Sequence, residues 1–398
     1  MKDLQIGKMV ISRDFLLFLI ANALLGVTMA VESTSFANRL FDDLGFTTLQ
    51  RASLEFPREL PGLLVVFIAG ALAFLGDIRT AAVANIFGGI GLFAFGLVPS
   101  GYWPVVITMM IYSTGQHIFL PLQGAISMTF AQEGKLGRKL GEIQNVNTIA
   151  MILTAGALFL LYRFLEIPFV VSFTVGAIAM ILAGVVFFFM TPSPPKPKKQ
   201  RFIYRKKFKL FYVLSIFFGA RRQITFTFVT WLLVTVYDQS VATVTMLFFI
   251  TSVISVFFRP LLGTFIDRMG ERFVLVVEAA LLILASFGFA FAGVLFSPTV
   301  ALVVVSVCYV IDNLFNIGAG MARTTYVKKL SDDQNEVSGT LTLSISLDHI
   351  ITMSMPFFAA LIWESNITTG YIYVFIGGAV ISGVCMILAN RIRIPVNA

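Results

Sequence analysis

Apolar stretches separated by short polar turns fill this chain, and none alternates. Twelve runs can be marked, roughly 15–38, 49–75, 80–98, 103–130, 142–162, 166–190, 209–236, 241–265, 272–296, 299–326, 337–363 and 369–390. Crossing ~30 Å of hydrocarbon takes about 20 helical residues. In lipid every backbone polar group must be satisfied inside the protein, so uniform runs of this length predict helices. Spanning strands would alternate over about ten residues. The pattern predicts an all-α membrane protein with twelve transmembrane helices. The run from Phe15 is too long for a signal-peptide core and reads as the first membrane helix.

The segment TPSPPKPKKQ, from Thr191 to Gln200, is basic and proline-rich, which keeps it extended. It predicts an N-terminal six-helix bundle over 1–190, a cytoplasmic basic linker over 191–208 and a C-terminal six-helix bundle over 209–398. The halves are weakly alike, which makes them pseudo-symmetric. An offset of 193 matches Phe15 with Phe208, Phe18 with Phe211, Gly26 with Gly219 and Gly70 with Gly263. Offsets of 197 and 198 match Tyr112 with Tyr309 and Gly141 with Gly339. Parallel repeats with a site at their interface are one transporter architecture.

Composition strengthens the membrane reading. Apolar and aromatic residues make up 58% and charged residues 13%, against about 45–50% and ~25% in soluble domains. The formal net charge of +8 resides mainly in one set of loops, which holds Lys2, Lys8, Arg13, Lys135, Arg138, Lys139, Arg268, Arg272, Lys328, Lys329, Arg391, Arg393 and the run Lys196 to Lys209. By the positive-inside rule both termini and the linker are cytoplasmic, in the plasma or inner membrane. The basic excess is therefore a topology signal, and no nucleic-acid partner is expected. Cys308 and Cys385 lie inside apolar runs, and His117 and His349 are too few for a metal cluster unless carboxylates join them. No nucleophile–base or H-E-x-x-H spacing appears. Neither an enzyme, a cofactor nor a metal is expected. The sequon at Asn366 reads as chance.

The end of the eighth run reads Gly263-Thr-Phe-Ile-Asp267-Arg268-Met-Gly270-Glu-Arg272. This resembles the G-x-x-x-D-R-x-G-x-R loop motif of the major facilitator superfamily. Gly134-Lys-Leu-Gly-Arg138-Lys-Leu-Gly141 is similar to that superfamily's loop between spans four and five. The resemblance covers nearly the whole chain. It implies a cytoplasmic gate of Gly263, Asp267, Arg268, Gly270, Arg272, Asp77 and Arg323, with Glu278 nearby and Asp267 accepting from a helix N-terminus or an arginine. The first half departs from the motif: under the constant offset Asp267 falls on Phe74 and Gly270 on Asp77. The fifth run, MILTAGALFLL, lacks the Gly-Pro signature of many drug–proton antiporters in that superfamily.

Ionisable side chains in hydrocarbon cost ~2.5–3.5 kcal/mol each on insertion scales and face a cavity or a partner. At ~1.5 Å per residue, Arg221, Arg222, His117, Asp312, Asp348 and His349 fall near mid-membrane and Glu32 in the outer half. The resemblance implies a central cavity lined by spans one, four, seven and ten. The substrate-cavity candidates on those spans are Asn22, Met29, Glu32, Tyr112, Gln116, His117, Gln123, Arg221, Arg222, Gln223, Tyr309, Asp312, Asn313 and Asn316. Tyr309, Asn313, Asn316, Gly320 and Arg323 share one helical stripe. Glu55, Arg58 and Glu59 are outer-gate candidates.

Two readings of the deep charges stand side by side. Arg221 or Arg222 pairs with Asp312 or Asp348 as a structural ion pair, or an arginine holds an anionic substrate group while Glu32, His117, Asp312 or Asp348 carries a proton. The expected function is secondary transport of a small organic, anionic or amphiphilic solute by alternating access, coupled to protons, in a monomer. The alternatives are an exporter of drugs or lipids and a non-transporting receptor or scaffold.

Overall fold

The computed structural model describes residues 4–6, 9–130, 136–194, 204–331, 334–366 and 368–393. Lys2, Lys8, the loop around Gly134 and Lys135, linker residues 195–203 and Ile367 of the sequon lie outside the described residues. Among the described residues the only strands are an antiparallel pair, β1 (Leu4–Ile6) and β2 (Met9–Ile11). The rest is helical: α1 (Arg13–Asn38), α2 (Thr48–Ser53), α3 (Glu55–Ala71), α4 (Gly76–Leu97), α5 (Tyr102–Thr129), α6 (Leu136–Phe164), α7 (Phe169–Phe188), α8 (Lys209–Thr235), α9 (Val241–Leu295), α10 (Pro298–Leu330), α11 (Gln334–Glu364) and α12 (Gly370–Ala389). Nine helices among the described residues are long and apolar enough to cross a membrane.

Three expected runs take a different form. The run over 49–75 is split at Leu54 into α2 and α3. Thr47 and Gln50 form a capping box that starts α2. Pro57 has no N–H to offer Ser53, which removes one helical hydrogen bond at the split. The runs over 241–265 and 272–296 join as α9, 55 residues long. That length is about 80 Å of helix, far more than one bilayer crossing. The backbone breaks at Gly270, whose φ of +81° is left-handed, a conformation that glycine adopts without a Cβ penalty.

The chain divides into two compact units. Unit 1 gathers Met1–Gly45, Pro57–Lys199 and Val241–Phe249. In it α4 packs on α5 and α7, and α1 on α6 and α7. Glycines set the spacing. A Cβ at Gly115 of α5 would lie 2.6 Å from Gly88 Cα and 2.4 Å from Ala84 O of α4. Small residues of this kind let backbones approach where no hydrophobic effect drives helices together.

Unit 2 gathers Phe46–Phe56, Gln200–Ser240 and Ile250–Ala398. Here α8 packs on α10, α11 and α12. Phe211, Phe218, Leu275, Ala322 and Cys385 belong to one buried cluster. The short helix α2 is held by Trp231 Nε1, which donates to Thr48 Oγ1 at 2.9 Å, and by Leu49 N, which donates to Glu364 Oε1 at 2.7 Å. Gly26 and Gly219, matched by the 193-residue offset, occupy equivalent contacts. A Cβ at Gly26 would meet Asn147 O of α6 at 2.5 Å, and one at Gly219 would meet Asp348 Oδ1 of α11 at 2.1 Å. Many large apolar side chains point outward, Phe67, Phe74, Trp103, Phe257 and Phe265 among them, which suits a surface solvated by lipid.

Candidate functional site

In unit 1 the deep polar side chains form one network around Glu32 of α1. Arg58 of α3 donates to Glu32 Oε1 at 2.8 Å. Tyr112 of α5 donates to Oε2 at 2.7 Å, and Gln116, one turn on, donates to the same oxygen at 3.1 Å. Tyr112 and Gln116 also bond each other at 2.5 Å. The next residue, His117, meets Ser113 Oγ through Nδ1 at 3.0 Å, and its Nε2 lies 3.8 Å from Glu59 Oε2. Asn22 and Gln123 form a separate group: Gln123 Nε2 donates to Asn22 Oδ1 at 2.6 Å, and Asn147 donates to Asn22 O at 3.0 Å. Met29 is exposed and joins neither group.

In unit 2 the two adjacent arginines differ. Arg221 is sealed, 2% exposed, and donates to Asp312 of α10, which is 0% exposed. Asn316 donates to Asp312 Oδ2 at 2.8 Å, and Thr225 lies on Oδ1. Arg222 is 52% exposed and donates to Asp348 of α11 at 2.5 Å. Gln223 donates to Glu55 Oε2 at 3.1 Å and to Thr227 at 3.2 Å. Tyr309 is buried and its carbonyl accepts from Asn313. The expected outer gate is thereby redistributed. Glu55 bonds Gln223 and Arg51 in unit 2, whereas Arg58 and Glu59 face Glu32 and His117 in unit 1.

The family model for the Major Facilitator Superfamily matches residues 18–347. The chain belongs to that superfamily. Solved structures of superfamily fold agree. The nucleoside transporter NupG is 18% identical, with 94% of this chain and 96% of that one covered and a TM-score of 0.73. The peptide transporter POT is 14% identical, with 98% and 97% covered and a TM-score of 0.73. The xylose transporter XylE from E. coli is 16% identical, with 94% and 96% covered and a TM-score of 0.66. No curated protein matches the chain significantly.

The superfamily loop motif sits at the break in α9. Gly270 supplies the left-handed turn, and Gly263 has room beside Met321. Asp267 and Arg268 are exposed, and among the described residues neither makes an ion pair or hydrogen bond. Arg272 bonds Asn390 at 2.6 Å instead, and the neighbouring Glu271 pairs with Lys329 at 2.7 Å. Arg323 bonds Ser215 at 2.6 Å, and its guanidinium lies over Phe211 and Phe218. Asp77 opens α4, where an acid suits the helix dipole.

Two further charges in α9 stand out, one buried and one half-buried. Glu278 of α9 is 1% exposed, and neither carboxylate oxygen has a hydrogen-bond partner. Arg259 of α9 is half-buried, and its Nε is unpartnered. The signal for both was present in the sequence, a single charge inside a long apolar run.

Proposed function

We propose that this superfamily member is a secondary active transporter of a small organic solute, anionic or amphiphilic, driven by protons and working by alternating access. Twelve spans in two six-helix halves, 1–190 and 209–398, joined by the basic linker 191–208, fit this reading. So do a cytoplasmic location for both termini, a plasma or inner membrane setting and a monomeric state. The observation that carries the substrate class is the contrast between Arg221 and Arg222. Arg221 is sealed against Asp312, while Arg222 stays half-exposed within a membrane helix beside Asp348. An accessible intramembrane guanidinium presents paired donors to a carboxylate or phosphate. Asp348 is then the counter-ion that the solute displaces. The Glu32 network and the Tyr309–Asn316 stripe supply further polar groups for a solute.

The superfamily fold is shared with proteins described as nucleoside, xylose and peptide transporters. Uridine, D-xylose, a dipeptide and succinate are therefore the first probes. Counterflow of one of them in proteoliposomes, lost in Arg222→Ala, is the expected result. Flux that Arg222→Ala leaves unchanged sinks the anion reading. Flux confined to hydrophobic drugs or lipids points to an exporter, and none at all to a receptor or scaffold.

A further inference from the structure

Unit 2 holds a mismatched pair of charges, a buried Glu278 and a half-buried Arg323. Arg221 already has its acid in Asp312. Among the described residues Arg323 of α10 has no acid in contact; it meets Ser215 and two phenyl rings. Glu278 of α9 has no base in contact, and both its oxygens lack any donor. Yet Ala279, next to Glu278, and Ala322, next to Arg323, belong to the same buried cluster, which brings α9 and α10 together there. An ionised carboxylate with no partner is costly in such a place. A neutral carboxylic acid is not.

The surroundings leave few other groups to consider. The charged groups that reach Glu278 are Arg221 from α8 and Asp312 and Arg323 from α10. Cys385 of α12 feels it too. On α11, Asp348 reaches Arg323 and is itself paired with Arg222. The acids earlier considered as proton carriers are engaged: Glu32 with Arg58, Asp312 with Arg221, Asp348 with Arg222.

We infer that Glu278 is the proton-binding acid of this transporter, and that Arg323 balances its charge when the proton leaves. This rests on the proton-coupled reading given above. Glu278 lies eight residues past the Gly270 break, about 12 Å of helix, and Arg323 seven before the end of α10, about 10 Å. Both therefore sit towards the linker side of unit 2. In the release step the O–H bond of the Glu278 carboxyl breaks, the electron pair stays on the oxygen, and the proton passes to water on that side. Arg323 leaves Ser215 Oγ and donates to the carboxylate. Reprotonation reverses each move.

The test uses the full chain reconstituted in liposomes. In the first arm, infrared spectra follow protonated-carboxyl stretches in wild type, E278Q and E278D. The wild type should show one at neutral pH that is missing in E278Q, shifts in deuterated buffer and disappears in alkaline buffer. A band that persists in E278Q, or that resists both deuterium and alkali in the wild type, overturns the inference. This arm needs no substrate, so it decides even if no probe moves. In the second arm, uptake of uridine, D-xylose, a dipeptide and succinate is driven by an imposed pH gradient. E278Q should lose gradient-driven accumulation and keep exchange, and E278D should restore the accumulation. Wild-type uptake that ignores the gradient sinks the proton-coupled reading. A gradient-driven wild type with an equally driven E278Q sinks the inference alone. Should E278Q fail to assemble, R323Q takes its place: the carboxyl band should then survive alkaline buffer, and a band that vanishes as in the wild type overturns the inference.

Discussion

Arg58 and Glu32 form an ion pair at 2.8 Å that ties α3 to α1. Sequence reasoning had put one in an outer gate and the other in the substrate cavity. The pair places Arg58 inside the Glu32 network, where Tyr112 and Gln116 satisfy the second carboxylate oxygen.

Removing one partner breaks a largely buried ion pair, which costs about 3–5 kcal/mol. Glu32→Leu and Arg58→Leu should each lower the melting temperature of the purified protein sharply. The double variant should recover much of that loss and remain inactive in uptake. A double variant as unstable as the singles would show that the network does more than neutralise charge.

Neighbouring arginines should behave differently in the same melting assay. Arg221→Ala strands Asp312, which is 0% exposed, whereas Arg222→Ala leaves Asp348 partly solvated at 25% exposed. The first should destabilise by about 3–5 kcal/mol, as expected for breaking a buried pair. The second should cost about 1 kcal/mol or less, the range of exposed pairs. Equal losses would refute the distinction between a structural and a substrate-facing arginine.

Gly115→Ala should separate α5 from α4, because the added methyl meets Ala84 O at 2.4 Å and Gly88 Cα at 2.6 Å. Backbone atoms cannot move aside as a side chain can. A loss of about 1–3 kcal/mol is expected for such overpacking. Gly377→Ala in α12, with nothing within 4 Å of the new methyl, is the control and should melt like the wild type.

Tyr237, in the turn after α8, gives a stability term at high pH. Burial, with Tyr371 next in weight, pushes its phenol from 10.0 up to about 12. The unfolded phenol ionises first, so the stabilisation is whole below pH 10 and fades as pH rises through about 12. Tyr237→Phe should flatten the alkaline fall in melting temperature across that window. An unchanged alkaline profile would mean that the phenol ionises as freely folded as unfolded.

Much of this was legible beforehand. The apolar runs over 15–38, 103–130 and 369–390 end within a few residues of α1, α5 and α12. The loop motif at Gly263 to Arg272 marked the family before any geometry was known. The break at Leu54 was missed because Pro57 lies three residues beyond it, inside a run read as unbroken. The pairing of Arg221 with Asp312 was one of two readings, and hydropathy had no means of choosing between them.

The sequence by itself determined the membrane class, the helical character and the family, because transfer into lipid is a sum over neighbouring residues and each span carries its own sum. Only the tertiary structure decided which charge meets which. Glu32 finds Arg58 from 26 residues away, and Arg221 finds Asp312 from 91. Helix rotation and close glycine contacts settle such meetings. Among the described residues they also left Glu278 without a donor and Arg323 without an acid, since packing orients a whole helix at once and cannot satisfy every side chain it carries.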